Sequence, residues 1–320
     1  MKWLITGAAG YIGSNLAHKL VADGFEIQCT DLVRNPRSSF LESKGAKFLY
    51  GDLRDANFTE TLFDEDQTYG VIHLAGLKSV TKSFGNRSEY FDTNVKATGL
   101  LHSQSIAQGV RQFLLASSAA IYDKNAINPI KESAGINPAS YYGETKVLAE
   151  EILGTSNKMQ SLALRFFNVV GSSEAILQDT SEDNVLPIFL KSMSQDESPR
   201  VFGDVYETPD GSCIRDYVHI NDIVTAIKLI MMKNKSLPGQ LNIGSGMGVS
   251  VIELISVINK YLKTSILPVI TSPREGDVGK VVADVRLLAD CLGFKPSLTV
   301  ERAIQDYLVG LQHFNAEKKR

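Results

Sequence analysis

Apolar residues in the first half of the chain fall in short, nearly unbroken runs, separated by longer stretches of mixed character. The runs Lys2–Thr6, Glu26–Thr30, Lys47–Tyr50, Gly70–Leu74, Gln112–Ser117 and Ser161–Phe167 predict strands covered on both faces. The segments Tyr11–Asp23, Phe58–Asp64, Glu89–Gln108 and Tyr142–Leu153 carry helical spacing. This alternation predicts a parallel sheet with right-handed crossovers, an α/β doubly wound architecture of the Rossmann kind. Beyond Asn168 the pattern changes. Val169–Pro199 is polar apart from a helical stretch at Leu186–Ser194, and Arg200–Gly203 and Ile214–His219 read as strands. Asn221–Met232 reads as a helix capped by Asn221, Gln240–Ile243 as a strand, and Val251–Leu262 and Glu301–Phe314 as helices. The expectation is a first domain over 1–168, with later returns near 214–243, and a smaller mixed α/β lobe over 169–320.

Composition narrows the class. A chain of 320 residues suits two domains, and 43% hydrophobic with 22% charged residues is globular rather than disordered. A net charge of −3 gives no electrostatic footprint for nucleic acid. Cys29, Cys213 and Cys291 are far apart, so neither a disulfide framework nor a metal site is expected, and a reducing compartment fits. No apolar run approaches the roughly 18 residues that span a bilayer. The start, Met1-Lys2-Trp3-Leu4-Ile5, breaks at Thr6-Gly7 and reads as a buried strand rather than a leader. A cytoplasmic protein without membrane contact is expected, and Lys318-Lys319-Arg320 reads as a solvated end.

Gly7-Ala8-Ala9-Gly10-Tyr11-Ile12-Gly13 follows the first strand and opens the first helix. Glycines there serve a tight turn, close approach of backbone to a pyrophosphate and packing of helix on strand, and the helix amino terminus favours the anion. Three glycines alone are a weak signal. Here the second strand leads into Asp31, whose carboxylate can accept from both hydroxyls of an adenosine ribose and would repel a 2′-phosphate. NAD is therefore expected over NADP, although Arg34 and Arg37 lie close by in sequence. Gly51-Asp52-Leu53 and Leu74-Ala75-Gly76 follow later strands, at the carboxyl ends where open α/β sheets bind ligands. Asp52 can accept from an adenine amino group or serve as an ordinary turn aspartate.

Tyr142-Gly143-Glu144-Thr145-Lys146 sets a phenol and an ammonium on one helix face. A nearby cation favours phenolate, so the tyrosine pKa is expected to fall toward working pH, suiting it to take a proton from an alcohol. Ser117 and Ser118 end the fifth strand, where a hydroxyl can pass that proton or hold the substrate oxygen.

With these residues in place the chain resembles the extended short-chain dehydrogenase/reductases, and within them the UDP-glucose (UDP-galactose) 4-epimerases. The resemblance is carried by Thr6-Gly7, Gly10, Gly13, Ser118, Tyr142 and Lys146. More specific are Val71-Ile72-His73-Leu74-Ala75-Gly76-Leu77-Lys78-Ser79-Val80, Asn94, Arg165-Phe166-Phe167-Asn168, Asn184-Val185-Leu186-Pro187, Asp210-Gly211, Arg215-Asp216-Tyr217-Val218-His219 and Arg274-Glu275-Gly276-Asp277. It implies bound NAD, with Lys78 and Asn94 near the nicotinamide half. It also implies a UDP group held by Asn168, Asn184, Arg215 and Arg274, with Asp277 on the ribose and Val185 and Phe202 among the substrate contacts. Two arginines suit a diphosphate through charge and fork geometry. Val281 stands where the family carries either tyrosine or a smaller residue, so the pocket is expected to take N-acetylhexosamines as well as hexoses. Leu32 stands where asparagine is common, Asp123 replaces a usual glycine, and Val169–Ser181 is short. His219 reads as structural.

The resemblance implies epimerisation at C4 of a UDP-hexose by transient oxidation to a 4-keto sugar. Tyr142 takes the proton, aided by Ser118, and Lys146 keeps the tyrosine ionised. It also implies a homodimer through Glu89–Gln108 and Tyr142–Leu153. A 4,6-dehydratase or decarboxylase on the same scaffold needs carboxylates just after the serine, where this chain has Ala119-Ala120. A non-catalytic dinucleotide sensor predicts loss of Ser118, Tyr142 and Lys146, all of which are present.

Overall fold

The computed structural model describes residues 1–63, 68–233, 237–274 and 276–317. Asp64, Glu275 and the Lys318-Lys319-Arg320 end therefore lie outside the described residues. Two compact units are present. The first comprises Met1–Asp123, Gly135–Phe166 and Val224–Leu241, and the second Lys124–Ala134, Phe167–Ile223 and Asn242–Arg320.

In chain order the elements begin β1 (Lys2–Thr6), α1 (Tyr11–Ala22), β2 (Ile27–Asp31), α2 (Pro36–Ser43), β3 (Lys47–Tyr50), α3 (Ala56–Thr61) and β4 (Thr68–His73). They continue α4 (Val80–Ser83), α5 (Arg87–Phe91), α6 (Ala97–Ala107), β5 (Gln112–Ser118), α7 (Tyr141–Leu153) and β6 (Gln160–Phe166). Then come β7 (Asn168–Val170), α8 (Val185–Met193), β8 (Arg200–Phe202), β9 (Ile214–His219), α9 (Ile220–Met231) and β10 (Gln240–Ile243). Last are β11 (Gly248–Ser250), α10 (Val251–Leu262), β12 (Val269–Thr271), β13 (Lys280–Val281), α11 (Arg286–Leu292) and α12 (Val300–Glu317).

The main sheet has seven strands in the order β10-β6-β5-β4-β1-β2-β3, and its pairs from β6 to β3 are parallel. The order reverses between β1 and β4, which makes the carboxyl ends of those strands the place where a ligand can enter. Its strands read as apolar runs because both faces are covered. Leu4, Val71, Phe113, Leu115 and Ala163 are buried with Leu101 of α6 and Ala149 of α7.

The helix read over Glu89–Gln108 is present as α5, a π-turn at Asp92–Lys96 and α6. A wider turn of this kind absorbs one residue too many for α-helical phase. Helix α2 was not anticipated, although Asn35 caps it in a reciprocal box with Ser38 and Pro36 opens it. The expected Asn221 cap is corrected. Helix α9 starts at Ile220, and the Asn221 N–H is taken by His219 Nδ1 at 3.1 Å, so the histidine ring satisfies that terminal donor.

In the second unit β9 is the hub, with β11 antiparallel and β13 and β7 parallel to it, while β8 and β12 form a separate parallel pair. Helices α8, α10 and α12 bury Leu186, Phe189, Leu254, Ile258 and Ile304 against Val170 and Tyr217. The buried Asp216 carboxylate accepts from Ser245 N (2.7 Å), Ser245 Oγ (2.6 Å), Gly246 N (2.9 Å) and Ala283 N (3.0 Å). That set of donors is what allows a carboxylate to sit out of water here. His219 is equally enclosed and binds Asp306 at 2.9 Å.

Candidate active site

The glycine loop of the first unit is packed to backbone tolerance. Gly7 has φ +66°, and a Cβ on it would stand 2.6 Å from Ala75 N, so the loops after β1 and β4 touch directly. A Cβ on Gly13 would lie 2.2 Å from Gly7 O. Gly10 opens α1 with no side-chain cap, and Tyr11 and Ile12 form its first turn, which leaves that end suited to an anion.

Asp31 is fixed at the end of β2, where Oδ2 accepts from Ala9 N at 2.8 Å and Oδ1 from Leu32 N at 2.8 Å. Burial raises its pKa, and the two N–H donors oppose that shift. Asn35 Nδ2 donates to Ala9 O at 3.2 Å and braces the same loop, a contact not read from the sequence. Arg34 binds Glu42 at 2.5 Å, so the nearest guanidinium to Asp31 in sequence already has a carboxylate. Asp52, read from the sequence either as an adenine acceptor or as a turn aspartate, is engaged by Arg54, whose Nη2 lies 2.6 Å from Oδ2. Leu53 lies beside that pair in the chain. A cradle closed to side chains, an uncapped helix end and a carboxylate held by two backbone amides fit a dinucleotide without a 2′-phosphate.

The loop after β4 is held from below. Asn94, buried in the π-turn, accepts from Leu77 N at 2.8 Å and donates to Leu77 O at 3.0 Å and Thr145 Oγ1 at 3.1 Å. It thus pins Ala75-Gly76-Leu77 to α7. His73 bridges Thr6 Oγ1 (2.7 Å) and Thr98 Oγ1 (2.9 Å), and Ala75 N donates to that same Thr6 hydroxyl at 3.3 Å. Burial, with Lys146 adding to it, drives the His73 pKa down to about 3, so the ring is neutral at pH 7. Leu74 follows His73, and Lys78 is exposed on the loop.

Ser118, Tyr142 and Lys146 come together. The β5 strand ends at Ser118 and passes into a tight turn at Ala119–Ile121, and Ser118 Oγ accepts from Ala120 N at 3.2 Å. The Ser118 hydroxyl stands near enough to the Tyr142 phenol to pull its pKa down against burial. Ser140 caps α7 through Gly143 N (3.1 Å), and Tyr142 N donates to Ser83 Oγ (3.1 Å). Gly143 is needed because a Cβ there would stand 2.5 Å from Ala120 O and 2.7 Å from Pro138 Cβ. Lys146 Nζ lies 5.8 Å from the Tyr142 ring centroid and donates to Ala116 O at 2.8 Å.

The expected lowering of the Tyr142 pKa is corrected. Burial raises it, and the neighbouring Ser118 hydroxyl offsets this only in part. Burial also lowers Lys146 to about 8, against the pull of Glu150. Asp123, unusual by the family pattern, accepts from Asn137 Nδ2 at 3.0 Å.

In the second unit Arg215, on β9, donates from Nη1 to Val278 O at 2.6 Å and pairs with Asp277 at 3.5 Å. Val281 lies opposite Arg215 in the β13–β9 register. Arg274 stacks its guanidinium 3.7 Å from the Phe202 ring centroid. Asn184 precedes Val185 at the start of α8 and bonds to Asp179. Asn168, opposite Tyr217 on β7, is partly exposed. Tyr206 was not read from the sequence. Burial, with Cys213 and Asp277 adding to it and Arg215 opposing, pushes it up to about 12.

The dinucleotide cradle together with a Ser-Tyr-Lys trio at a sheet's carboxyl edge defines a short-chain oxidoreductase-type enzyme, one that handles a carbinol proton beside a nicotinamide. The model of the NAD dependent epimerase/dehydratase family matches residues 3–244. The chain belongs to that family. It is 34% identical to the UDP-glucose 4-epimerase of Lactobacillus helveticus over 308 residues, covering 92% of each. It is 33% identical to that of Halalkalibacterium halodurans over 305 residues, covering 92% of this chain and 91% of the relative. Among solved structures, the Stenotrophomonas maltophila UDP-glucose-4-epimerase with bound NAD and formylated UDP-arabinopyranose superposes with a TM-score of 0.92. That pair shares 29% identity and covers 99% of both chains.

Proposed function

We propose that the protein is an NAD-dependent UDP-hexose 4-epimerase. The observation that carries this is the convergence of Ser118, fixed by the Ala120 N–H, with the Tyr142 phenol, and Lys146 on the same helix face. Bound NAD supplies a hydride acceptor and then a hydride donor for C4 of the sugar. Tyr142 takes the proton of the 4-hydroxyl as C4 is oxidised and returns it to the 4-keto sugar on reduction. Ser118 orients that oxygen. The Lys146 ammonium stabilises the phenolate that burial alone disfavours. Arg215 and Arg274 hold the diphosphate, with Phe202 packed on Arg274. Asp277 serves the ribose, and Asn168, Asn184 and Val185 complete the nucleotide contacts. A clamped nucleotide with a loosely held sugar allows the keto intermediate to present its other face.

The small Val281 side chain supports turnover of UDP-GlcNAc and UDP-GalNAc beside UDP-glucose and UDP-galactose. A homodimer through the helical segments 87–107 and 141–153 in the cytoplasm belongs to the same reading. Leu148, 37% exposed on α7, is an apolar residue such an interface would cover. Among the described residues no helix is long and apolar enough to cross a membrane. The dehydratase alternative lacks its acid, since positions 119 and 120 are alanines in a tight turn.

The test uses UDP-galactose deuterated at C4, without added cofactor. UDP-glucose should form with the label retained. Washout to solvent, or unchanged turnover by Tyr142→Phe, excludes the mechanism.

A further inference from the structure

Behind the tyrosine lies a buried ionic cluster to which the reaction assigns no part. Tyr142, Lys146 and Glu150 follow one another at four-residue intervals on α7 and share a face. Arg165 on β6 donates to the Glu150 carboxylate from Nε at 3.0 Å and from Nη2 at 2.7 Å. Ser117 Oγ donates to it at 2.5 Å, and Arg165 Nη1 reaches Tyr122 Oη at 3.0 Å. The arginine is 6% and the glutamate 15% exposed. Lys146 meanwhile holds Ala116 O. Residues 116, 117 and 118 are consecutive on β5, so one helix face grips that strand end at Ala116 and Ser117, just before Ser118. A buried ion pair is a poor device for stability, because apolar residues of similar volume serve as well or better.

We propose that Glu150 is a positioning residue for the catalytic trio: clamped by Arg165 and Ser117, it locks the end of β5 to α7 and sets a fixed negative charge one turn from Lys146. This rests on the epimerase reading for its effect on turnover, though not for its effect on the lysine. The titratable and charged groups around Lys146 and Tyr142 are His73 from β4, Tyr90 from α5, Glu150 from α7 and, through Glu150, Arg165 from β6. Burial keeps His73 neutral at pH 7. Glu150 is thus the group that opposes the burial depressing Lys146.

The experiment compares wild type with Glu150→Gln. It follows the Lys146 Cε shift by NMR across pH, assigned with Lys146→Arg, and kcat across pH for UDP-galactose. The lysine midpoint and the alkaline limb of kcat should both fall by about one pH unit, with KM within about threefold and Glu150→Asp restoring both. Because Glu150→Gln strands a buried guanidinium, a cost to folding, Glu150→Gln/Arg165→Met serves as the second variant. It removes both charges and should show a smaller downward shift, because the lost Arg165 cation had offset part of the Glu150 charge. A folded variant whose Lys146 titrates at the wild-type pH overturns the proposal, leaving the pair a packing element. Should wild type epimerise nothing, the functional reading falls, while the NMR midpoint still decides the role of Glu150.

Discussion

Replacing Gly143 by alanine separates fold from chemistry. The new methyl would lie 2.5 Å from Ala120 O and 2.7 Å from Pro138 Cβ. An ordinary contact needs about 3.4 Å or more, so the first turn of α7 must withdraw from the Ala119–Ile121 turn by close to 1 Å. Overpacking of this kind costs about 1–3 kcal/mol, and alanine returns about 1 kcal/mol of helix propensity. The net loss of stability is therefore about 0–2 kcal/mol, and the variant stays folded. The same withdrawal pulls Tyr142 away from Ser118, which is anchored in that turn by Ala120 N. Misplacement of about 1 Å at reacting groups can cost about 100-fold. Thermal unfolding followed by circular dichroism, with kcat for UDP-galactose, should show a folded protein with kcat lowered about 10- to 100-fold. Turnover within twofold of wild type would show that the close approach of α7 to that turn does not position the phenol.

Lys146→Met should abolish turnover yet stabilise the fold at pH 7. The folded-state lysine pKa of about 8 lies below the unfolded value of 10.5, so the native state binds fewer protons between those limits. Wild-type stability therefore rises with pH across that window. The variant's advantage, about 3 kcal/mol at pH 7, should shrink between pH 8 and 10.5 in chemical denaturation, and an advantage flat with pH would refute this. His73, held at about 3, should make wild type lose stability as pH falls from 6.5 toward 3. His73→Gln, which can keep both threonine bonds, should flatten that loss, measured by the same titrations. Val281→Tyr should suppress turnover of UDP-GlcNAc selectively over UDP-glucose, and equal loss on both would remove Val281 from specificity.

The seven-stranded sheet was legible because its strands are covered on both faces and so read as apolar runs. The strands β7, β11, β12 and β13 were largely not, since two or three residues with mixed exposure carry no period. Helix α2 was signalled by Asn35-Pro36 but has little apolar periodicity to confirm it. Within the site, Ser118, Tyr142 and Lys146 could be found from strand order and spacing. The direction of the Tyr142 pKa could not, because it depends on how deeply the phenol is buried, which spacing does not report. Asp52 and Asp31 look alike in sequence, and their fates diverge through their partners, Arg54 for one and the Ala9 and Leu32 amides for the other. Glu150 four residues after Lys146 reads as an ordinary surface pair until Arg165 arrives from β6.

The wide turn at Asp92–Lys96 carries a consequence for insertion and deletion. Removing a single amino acid from most helices throws every preceding side chain about 100° out of phase. Here such an excision would relax the segment into regular winding. The chain could close over the loss, with α6 keeping its seat. Asn94 would rotate off Leu77, and the loop it anchors would be released. A shortened polypeptide that folds yet fails to retain its coenzyme is the expected phenotype, and it marks this turn as a place where the chain has given up regular geometry to aim one amide.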